Sequence, residues 1–348
     1  MRKVTILVGK AEERAKELAE QSFQAVVCDP PYGISFVGSK WDYDVPRAAE
    51  WAEVLRLMKP GAHGFAFSAT KTYHRTAVEI EDAGFEIRDM FSWIYGKGMP
   101  KGRDLSKAID ELLGGERRAV TDPATPEAKL WDGWNTTLKP CCEPAALFCR
   151  PPEGTFAENA LKHGVAGLNV DATRVGTSGG TRGAAFKDKK SEITQRKLAG
   201  KVEQLEKGRW PSNVAMDEQA GAGADARSQS GDGSKSFYRP EEHELDASLP
   251  EEFCRFFYSG KASTKERGPG NPHKTVKPVD LIRYMATIVL PPKPERVLVP
   301  FSGVGSEVAG CLLAGWPEVV GIELSPEYAA FAKLRLEKGF RDVEVEIR

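Results

Sequence analysis

Short apolar runs and helical patterns alternate at both ends of this 348-residue sequence. Seven of the apolar runs predict β-strands, over residues 4–8, 24–28, 62–68, 85–95, 296–299, 319–323 and 343–347. Helical spacing occupies the stretches between them, over residues 11–20, 47–58, 71–83, 279–289, 306–314 and 326–338. This alternation predicts one α/β core, a seven-stranded and mostly parallel sheet with helices on both faces.

The alternation stops in the middle of the chain. Residues 97–255 are rich in Gly, Pro and charged residues, with a basic stretch over 181–210 and an acidic stretch over 217–251. Within this insertion, 178–207 and 219–247 carry too little apolar surface to offset the entropy lost on ordering, so we expect them to be mobile. The predicted parts of the chain are two halves of one core and an insertion, residues 1–96, 256–348 and 97–255.

The composition excludes several classes of protein. Hydrophobic residues make up 41% and charged residues 28% of the chain, with a net charge of −1, as is ordinary for a soluble globular protein. No apolar run approaches the roughly 18 residues of a membrane span, and the first residues lack a secretory signal pattern, so a cytoplasmic protein is expected. The six cysteines are scattered without a Cys-x-x-Cys pair, and no metal site is expected.

A glycine-rich turn follows the predicted strand 296–299. The segment Pro300-Phe301-Ser302-Gly303-Val304-Gly305 leads into a predicted helix that begins at Ser306. Glycines let the backbone approach a ligand, and the first turn of a helix presents free N–H groups. Glu323 ends the next predicted strand, where a carboxylate can accept hydrogen bonds from ribose hydroxyls. The pattern indicates a nucleotide-cofactor site, with an ordinary tight turn as the alternative.

A second feature, Asp29-Pro30-Pro31-Tyr32, follows the apolar run over 24–28. Open α/β sheets place ligand-contacting groups at the carboxyl ends of their strands. The Asp29 carboxylate and the Pro30 carbonyl can accept hydrogen bonds from the amino group of a base, and Tyr32 offers a face for stacking an extruded base. The segment therefore indicates chemistry at an exocyclic amine, with a Pro-Pro turn capped by an aspartate as the structural alternative.

These features occur in an order that resembles the permuted (β-class) amino-methyltransferases of DNA, with the catalytic tetrapeptide first and the cofactor turn last. The segment His273-Lys274-Thr275-Val276-Lys277-Pro278 resembles an element that, in this class, helps to hold the methionine end of the cofactor. Residues 299–306 and 321–323 resemble its cofactor turn and ribose-binding turn. Motifs such as Gly208-Arg209-Trp210-Pro211 and Tyr258-Ser259-Gly260-Lys261 are similar to those of phage and prophage site-specific adenine methyltransferases.

The resemblance implies a Rossmann-like methyltransferase fold with circularly permuted motif order, and S-adenosylmethionine as the cofactor. The implied substrate is double-stranded DNA with a base flipped out of the helix. The expected catalytic residues are Asp29, Pro30, Pro31 and Tyr32. The expected cofactor-binding residues are Pro300, Phe301, Ser302, Gly303, Gly305, Ser306, Glu323, Thr275, Lys277 and Pro278. Adenine N6 is the favoured target, because cytosine-N4 enzymes that resemble this chain more often begin the tetrapeptide with Ser.

Two alternatives stay open. Cytosine-N4 methylation applies the same chemistry to another exocyclic amine. The second alternative is a DNA-binding protein that has lost efficient methyl transfer, because Val299 and Lys10 stand where the class has acidic contacts to the cofactor. Each lost hydrogen bond to a charged group costs about 1.5–3 kcal/mol. Lys274 also replaces a proline of the class.

DNA contacts are expected from aromatic and basic residues in or beside the insertion. Aromatic side chains interleaved with basic ones suit contact with the DNA backbone and with base steps. The expected DNA-binding residues are Lys97, Lys101, Arg103, Arg209, Trp210 and Lys261. Trp93, Trp131 and Trp134 belong to the same region, with core packing as the alternative for the tryptophans. The sequence leaves open a homodimer and a partner restriction enzyme.

Overall fold

The computed structural model describes residues 1–96, 98, 102–176, 181–182, 203–204, 207–217, 220, 256–273 and 275–348. The chain divides into two compact units, one formed by Met1–Ile94 with Glu143–Arg348 and the other by Tyr95–Cys142. The smaller unit coincides with the first part of the predicted insertion. The segments that the sequence predicts to be mobile lie mostly outside the described residues.

One mixed sheet runs through the larger unit. Its strands are β1 (Arg2–Val8), β2 (Phe23–Cys28), β3 (Met58–Phe67), β4 (Glu86–Ile94), β5 (Cys142–Cys149), β8 (Val214–Met216), β9 (Phe257–Tyr258), β10 (Arg296–Pro300), β11 (Glu318–Glu323) and β12 (Val343–Ile347), while β6 (Thr181–Arg182) pairs with β7 (Glu203–Gln204). The strand order is β12-β1-β11-β10-β2-β3-β5-β4-β8-β9. Pairs from β12 to β3 are parallel, β5 is antiparallel to β3, and β8 pairs in parallel with β4 and β9.

The sheet has ten strands, whereas the sequence predicts seven. All seven predicted runs form strands, and the additional ones are β5, β8 and β9. With three residues in β8 and two in β9, an alternating pattern cannot show in the sequence. Strand β5 begins Cys142-Glu143-Pro144, so only its later residues carry an apolar run. The α/β core was therefore predictable, and its extension by short strands was not.

Helices cover the sheet, and two of them, α4 and α5, belong to the smaller unit. They are α1 (Ala11–Ala15), α2 (Ala48–Leu57), α3 (Tyr73–Asp82), α4 (Leu105–Leu113), α5 (Pro126–Leu130), α6 (Phe156–His163), α7 (Thr264–Arg267), α8 (Val279–Ile288), α9 (Ser306–Ala314) and α10 (Pro326–Gly339). All six predicted helices are present, but α1 is shorter than predicted. After Ala15 the chain forms tighter turns, in which Leu18 N–H bonds the Ala15 carbonyl at 3.0 Å, and Gln21 has a left-handed φ of 50°.

The centre of the sheet is buried on both faces. All six residues of β2 are buried, as expected for a parallel strand with helices on either side. Trp51 of α2 packs edge-on against Phe148 of β5, with ring centroids 5.8 Å apart. The indole N–H of Trp316 donates to the Ala286 carbonyl at 3.3 Å. These contacts pack α2 against β5 and join the end of α9 to α8.

None of the helices in the described ranges combines the length and the apolar character that crossing a bilayer requires.

The smaller unit is organised around one buried carboxylate. Asp110 of α4 accepts hydrogen bonds from the backbone N–H groups of Ala124 at 3.0 Å and Thr125 at 2.9 Å. Arg117 donates to it from Nε at 2.7 Å. Although burial acts to raise it, these bonds together with one from the Thr125 hydroxyl lower the pKa of Asp110 to about 2. They join α4 to the start of α5.

We predict that Gly310→Ala destabilises the protein although it places a good helix former inside α9. In an exposed helix this change stabilises by about 1 kcal/mol. Here an added Cβ would lie 2.5 Å from Ile282 Cγ2 of α8, so the two helices must separate, at a cost of about 1–3 kcal/mol. Urea unfolding measures the change. Gly339→Ala is the matched control, because a Cβ there meets nothing within 4 Å. Equal stability of both variants would contradict the prediction.

Candidate active site

Two neighbouring parallel strands, β10 and β2, end at the same edge of the sheet. β10 continues through α9 to β11 on one side, and β2 continues through α2 to β3 on the other side. The strand order therefore reverses between them, and open α/β sheets bind ligands in the crevice at such a point. Asp29 follows β2, and the turn 300–305 follows β10. The predicted catalytic and cofactor segments thus meet there.

Asp29 and Tyr32 form a hydrogen-bonded cluster with Lys277. The Tyr32 hydroxyl donates to Asp29 Oδ1 at 2.6 Å. Lys277 Nζ donates to Asp29 Oδ2 at 2.7 Å and to the Tyr32 oxygen at 2.7 Å. The same ammonium lies 3.0 Å from Glu143 Oε2. One buried cation therefore contacts two carboxylates and a phenol.

The charged groups of this cluster shift the pKa values of Lys277 and Tyr32. Burial alone would lower the pKa of Lys277, but the carboxylates of Asp29 and Glu143 raise it above its ordinary value. Burial, and then the negative charges of Asp29 and Glu143, raise the pKa of Tyr32 well above its ordinary value. At physiological pH Lys277 is a cation and Tyr32 a neutral hydroxyl. Asp29 is held between them as an oriented hydrogen-bond acceptor.

The position of Glu143 beside Lys277 could not be predicted from the sequence. Because β5 runs antiparallel to β3, its amino end lies at the edge of the sheet where β3 ends. This reversed strand carries Glu143 to the active-site edge, and nothing in the local sequence pattern reveals the reversal. The signal available was an acidic residue directly before Pro144 and an apolar run.

Asp42, also outside the prediction, holds the loop that follows the tetrapeptide. It is 2% exposed. Its Oδ1 accepts hydrogen bonds from the backbone N–H groups of Tyr32 at 2.6 Å and Gly33 at 3.1 Å, and its Oδ2 accepts from Phe36 N–H at 2.8 Å. Gly33 turns with φ of 66°, and an added Cβ would lie 3.0 Å from Val45 N. Asp42 thereby fixes the backbone that carries Tyr32.

A cavity of about 370 Å³ opens beside Asp29, within the size range of small-molecule sites. It is lined by Asp29 and Pro31 together with three of the predicted cofactor residues, Phe301, Gly303 and Glu323. Pro30, by contrast, is buried. The cavity therefore lies between the segment 29–32 and the turn 300–305.

Glu323 closes one side of the cavity. Its Oε2 accepts a hydrogen bond from Gly303 N–H at 2.7 Å, and its Oε1 accepts one from Ser325 N–H at 2.8 Å. Burial raises the pKa of Glu323, and these backbone bonds oppose that effect. Each carboxylate oxygen retains a lone pair for a ligand hydroxyl. Phe301 is left-handed with φ of 64°, a strained backbone of the kind that clusters at ligand sites.

The chemistry of this lining fits S-adenosylmethionine. Trp41, His273 and Tyr328 form an aromatic wall, with ring centroids 5.8 Å apart between Trp41 and His273 and 4.9 Å apart between His273 and Tyr328. An aromatic wall suits a purine, and the Glu323 carboxylate suits ribose hydroxyls. Asp29 lines the same cavity.

Several predicted cofactor residues of the turn stand behind this lining. Pro300 is the buried last residue of β10, and Gly305, with φ of 83°, precedes α9. Ser302 is buried, and its Oγ finds no hydrogen-bond partner within the described ranges. The Ser306 hydroxyl accepts a hydrogen bond from Arg335 at 2.8 Å. These residues support the turn and do not line the cavity themselves.

The segment that ends at Pro278 lies partly beside Asp29. Lys277 was expected to help hold the methionine end of the cofactor, and its Nζ bonds Asp29, which lines the cavity. Thr275 is exposed, and its backbone N–H donates to His273 Nδ1 at 3.2 Å. Pro278 precedes α8. Lys274 lies outside the described residues.

The two positions where acidic residues were expected have distinct surroundings. Val299 is fully buried in β10. Lys10 lines the cavity, with its Nζ 3.5 Å from Glu13. Glu12 and Glu50 line the same cavity, so carboxylates are present there from other positions.

Four of the six predicted DNA-binding residues lie in the part of the chain that the structure describes. Lys97 and Lys101 lie outside the described residues. Arg103 is exposed in the smaller unit and pairs with Glu111 at 3.1 Å. Lys261 is exposed after β9. Arg209 pairs through its backbone with Val175, at 2.8 and 3.0 Å.

Trp210 lies at the opposite edge of the sheet from Asp29. It is 65% exposed and shares a groove with Gln24, at the start of β2, and Lys293, which precedes β10. Arg174 lies 5.9 Å from its ring. The structure therefore does not bring Trp210 to the catalytic cluster.

The other tryptophans divide between core and surface. Trp93 is buried and donates its indole N–H to the Ser259 carbonyl at 2.9 Å, so core packing explains it. Trp131 and Trp134, in the smaller unit, are 39% and 60% exposed and pack edge-on with centroids 5.5 Å apart.

Comparison with known proteins finds similar sequences and similar solved structures. The chain is 26% identical over 203 residues to the type II methyltransferase M.HindIII of Haemophilus influenzae, and the match spans 45% of this chain and 62% of that protein, less than two thirds of its length. Among solved structures, the M1.HpyAVI complex with S-adenosylmethionine is 15% identical, with 96% of this chain and 100% of that chain covered and a TM-score of 0.43. A Thermus thermophilus DNA modification methylase in complex with S-adenosylmethionine is 16% identical, with 99% of each chain covered and a TM-score of 0.44.

A protein-family model matches most of the sequence. The sequence model of the N6/N4 methyltransferases, described as DNA methylase, matches residues 23–334. That range contains both the tetrapeptide at Asp29 and the cofactor turn. The chain belongs to the N6/N4 DNA methylase family, and its cofactor is S-adenosylmethionine, as the sequence predicts.

Proposed function

We propose that this protein transfers a methyl group from S-adenosylmethionine to adenine N6 at a specific site in double-stranded DNA. The observation that carries the proposal is the Asp29 carboxylate, which lines the cofactor cavity while Lys277 and Tyr32 fix its orientation. A hydrogen-bond acceptor beside a methyl donor suits an exocyclic amine as the acceptor of the methyl group.

Asp29 and Pro30 have separate roles in the proposed methyl transfer. S-adenosylmethionine supplies the electrophilic methyl group. Asp29 accepts a hydrogen bond from the target amine, which draws the nitrogen lone pair out of conjugation with the base and orients it. The Pro30 carbonyl can accept the second amino hydrogen, because proline fixes the backbone direction. The amine becomes acidic only as the new N–C bond forms, so its proton can then leave through Asp29, which need not be a strong base.

Lys277 and Tyr32 hold Asp29 in the orientation that this role requires. The ammonium of Lys277, with its raised pKa, remains charged and donates to Asp29 Oδ2 at 2.7 Å. The Tyr32 hydroxyl donates to the same carboxylate, so an incoming amine joins or replaces a hydrogen bond that is already formed. The ring of Tyr32 is half-buried at the site and supports the proposed stacking with the flipped base.

The choice of adenine rests on the first residue of the tetrapeptide. Asp29 is a full carboxylate, and Tyr32 provides an area that suits a purine. Cytosine-N4 methylation is the second candidate, since the cluster is chemically adequate for either amine. A chain that binds DNA without efficient transfer is the third, and Val299 and Lys10 are the residues that favour it.

Recognition of the DNA site is proposed to reside in the insertion over 97–255. The exposed pair Trp131 and Trp134 in the compact unit Tyr95–Cys142 supports this proposal, because exposed aromatic rings can probe base steps. The tetrapeptide precedes the cofactor turn along the chain, which supports the permuted motif order. We retain as proposals the phage-like relationship, a role beside a restriction enzyme, a cytoplasmic location and a homodimer.

The base can be identified directly. DNA from cells that express the protein is digested to nucleosides, which are then separated by mass, with DNA from cells that express Asp29→Asn as the blank. We expect N6-methyl-2′-deoxyadenosine. N4-methylcytosine alone would replace adenine with the second candidate. No modified nucleoside, together with no binding of S-adenosylmethionine in calorimetry, would favour the third.

Asp29→Asn is expected to lower turnover by about a hundredfold or more, the scale seen when one oriented polar group at a reaction centre is lost. Affinity for DNA should change little, because phosphate contacts supply most of it. Turnover and DNA binding are measured on the same preparations. Asp82→Asn, an exposed aspartate at the end of α3, is the matched control. Turnover close to that of the unmodified protein would remove Asp29 from the mechanism.

Asp42→Asn is expected to lower kcat by about tenfold or more while KM for the cofactor changes little. The amide replaces one accepting oxygen by a donor that faces a backbone N–H, so the loop of Tyr32 loosens. Steady-state kinetics well below the unfolding temperature separates this effect from lost stability. Asp44→Asn, in the same loop with a more exposed side chain, is the control. A change in KM without a change in kcat would show that Asp42 does not position Tyr32.

A further inference from the structure

Glu143 is the one carboxylate of the hydrogen-bonded cluster that has no role in the methyl transfer proposed above. It is the second residue of β5. The next residue, Pro144, accepts a hydrogen bond from Ser68 N–H at 2.8 Å, and β5 continues from there antiparallel to β3. The sheet therefore fixes the backbone from which the Glu143 side chain reaches Lys277.

The Lys277 ammonium has three N–H groups, and three oxygens lie within hydrogen-bond distance of it. They are Asp29 Oδ2 at 2.7 Å, the Tyr32 oxygen at 2.7 Å and Glu143 Oε2 at 3.0 Å. The Lys277 side chain is 7% exposed, and its Nζ lies 5.1 and 4.9 Å from the ring centroids of Tyr32 and Phe67. Protein groups thus surround the ammonium, and its charge depends on the carboxylates beside it.

The proposed transfer changes the charge of one of these carboxylates. The target nitrogen bonds the methyl carbon while the carbon–sulfur bond breaks, and its electron pair stays on sulfur. The positive charge thereby passes from sulfur to nitrogen, and the nitrogen then gives one proton to Asp29. Asp29 becomes neutral and no longer balances the charge of Lys277. A buried ammonium without an anionic partner is costly.

We propose that Glu143 is a positioning residue that keeps Lys277 paired while Asp29 takes up the proton of the target amine. Its carboxylate already lies 3.0 Å from Nζ, so the pair persists without rearrangement when Asp29 becomes neutral. Tyr32 gains a second acceptor in the same way, because its hydroxyl oxygen lies 3.4 Å from Glu143 Oε2. The hydroxyl can turn there when the amine or its proton occupies Asp29 Oδ1. The inference rests on the proposed methyl transfer, but not on which base is methylated.

Two substitutions of Glu143 separate its charge from its size. Glu143→Gln keeps the length of the side chain and an accepting oxygen but removes the negative charge. Glu143→Asp keeps the charge and shortens the side chain by one methylene, which the long side chain of Lys277 can follow. If the charge is what matters, the aspartate variant is the more active of the two. If packing or the hydrogen bond alone matters, the glutamine variant is at least as active.

Single-turnover transfer of a labelled methyl group from S-adenosylmethionine to unmethylated genomic DNA, with protein in excess over the DNA sites, measures these rates. Glu143→Gln should lower the rate about tenfold, less than the loss of a group that contacts the reacting amine. Glu143→Asp should lose less. Affinities for the cofactor and for DNA should stay close to those of the unmodified protein. Glu86→Gln is the matched control, because Glu86 is exposed at the start of the neighbouring strand β4.

A double-mutant cycle identifies the residue through which Glu143 acts. In Lys277→Gln no ammonium remains to be paired, so adding Glu143→Gln should lower the residual rate little further. Losses that simply multiply would mean that the two residues act independently. Urea unfolding of each variant shows that the rates compare folded proteins.

The proposal is overturned by an unmodified rate in Glu143→Gln, by a rate in Glu143→Asp no higher than in Glu143→Gln, or by multiplying losses in the cycle. A parallel loss of rate and of both affinities would assign Glu143 to packing and overturn it as well. An unmodified protein that transfers no methyl group to DNA would remove the proposed function, and this inference with it. That result is distinct from the others, all of which require an active unmodified protein.

Discussion

The buried ammonium of Lys277 is the contact on which the active site depends. Its partners come from the end of β2, from the loop after β2 and from β5, while Lys277 itself precedes α8. Removing one partner of a buried ion pair leaves an uncompensated charge, at a cost of several kcal/mol. Asp29, Tyr32 and Glu143 are therefore held together by one charge, and the Asp29 carboxylate takes its orientation from segments on both sides of the insertion.

The parts of this site that were predictable depend on local pattern. Asp29 and the turn at Gly303 follow apolar runs that already read as parallel strands, and the edge where such strands end is fixed by the fold class. Glu143 depends on longer-range geometry. It reaches the site through a strand of reversed direction, and that reversal leaves no periodic signal in the sequence.

The resemblance to a family predicted which residues belong to the site, but it did not predict which side chains each of them contacts. Lys277 was expected near the methionine end of the cofactor, and the structure adds its partners, Asp29, Tyr32 and Glu143. Trp210 was grouped with the DNA contacts, but it lies at the amino ends of the strands, away from Asp29. A motif fixes which residue occurs in a segment, whereas the tertiary fold decides which side of the sheet that segment reaches.

The smaller unit joins the rest of the chain at two neighbouring strands. It begins directly after β4 and ends at the start of β5, and these strands are adjacent in the sheet. At its base, Tyr95 N–H bonds the Cys141 carbonyl at 3.0 Å. Entry and exit points this close allow the intervening sequence to be lengthened, shortened or exchanged without altering the order of strands behind it. Evolution can therefore replace this unit as a cassette while Asp29 and the cofactor turn stay unchanged.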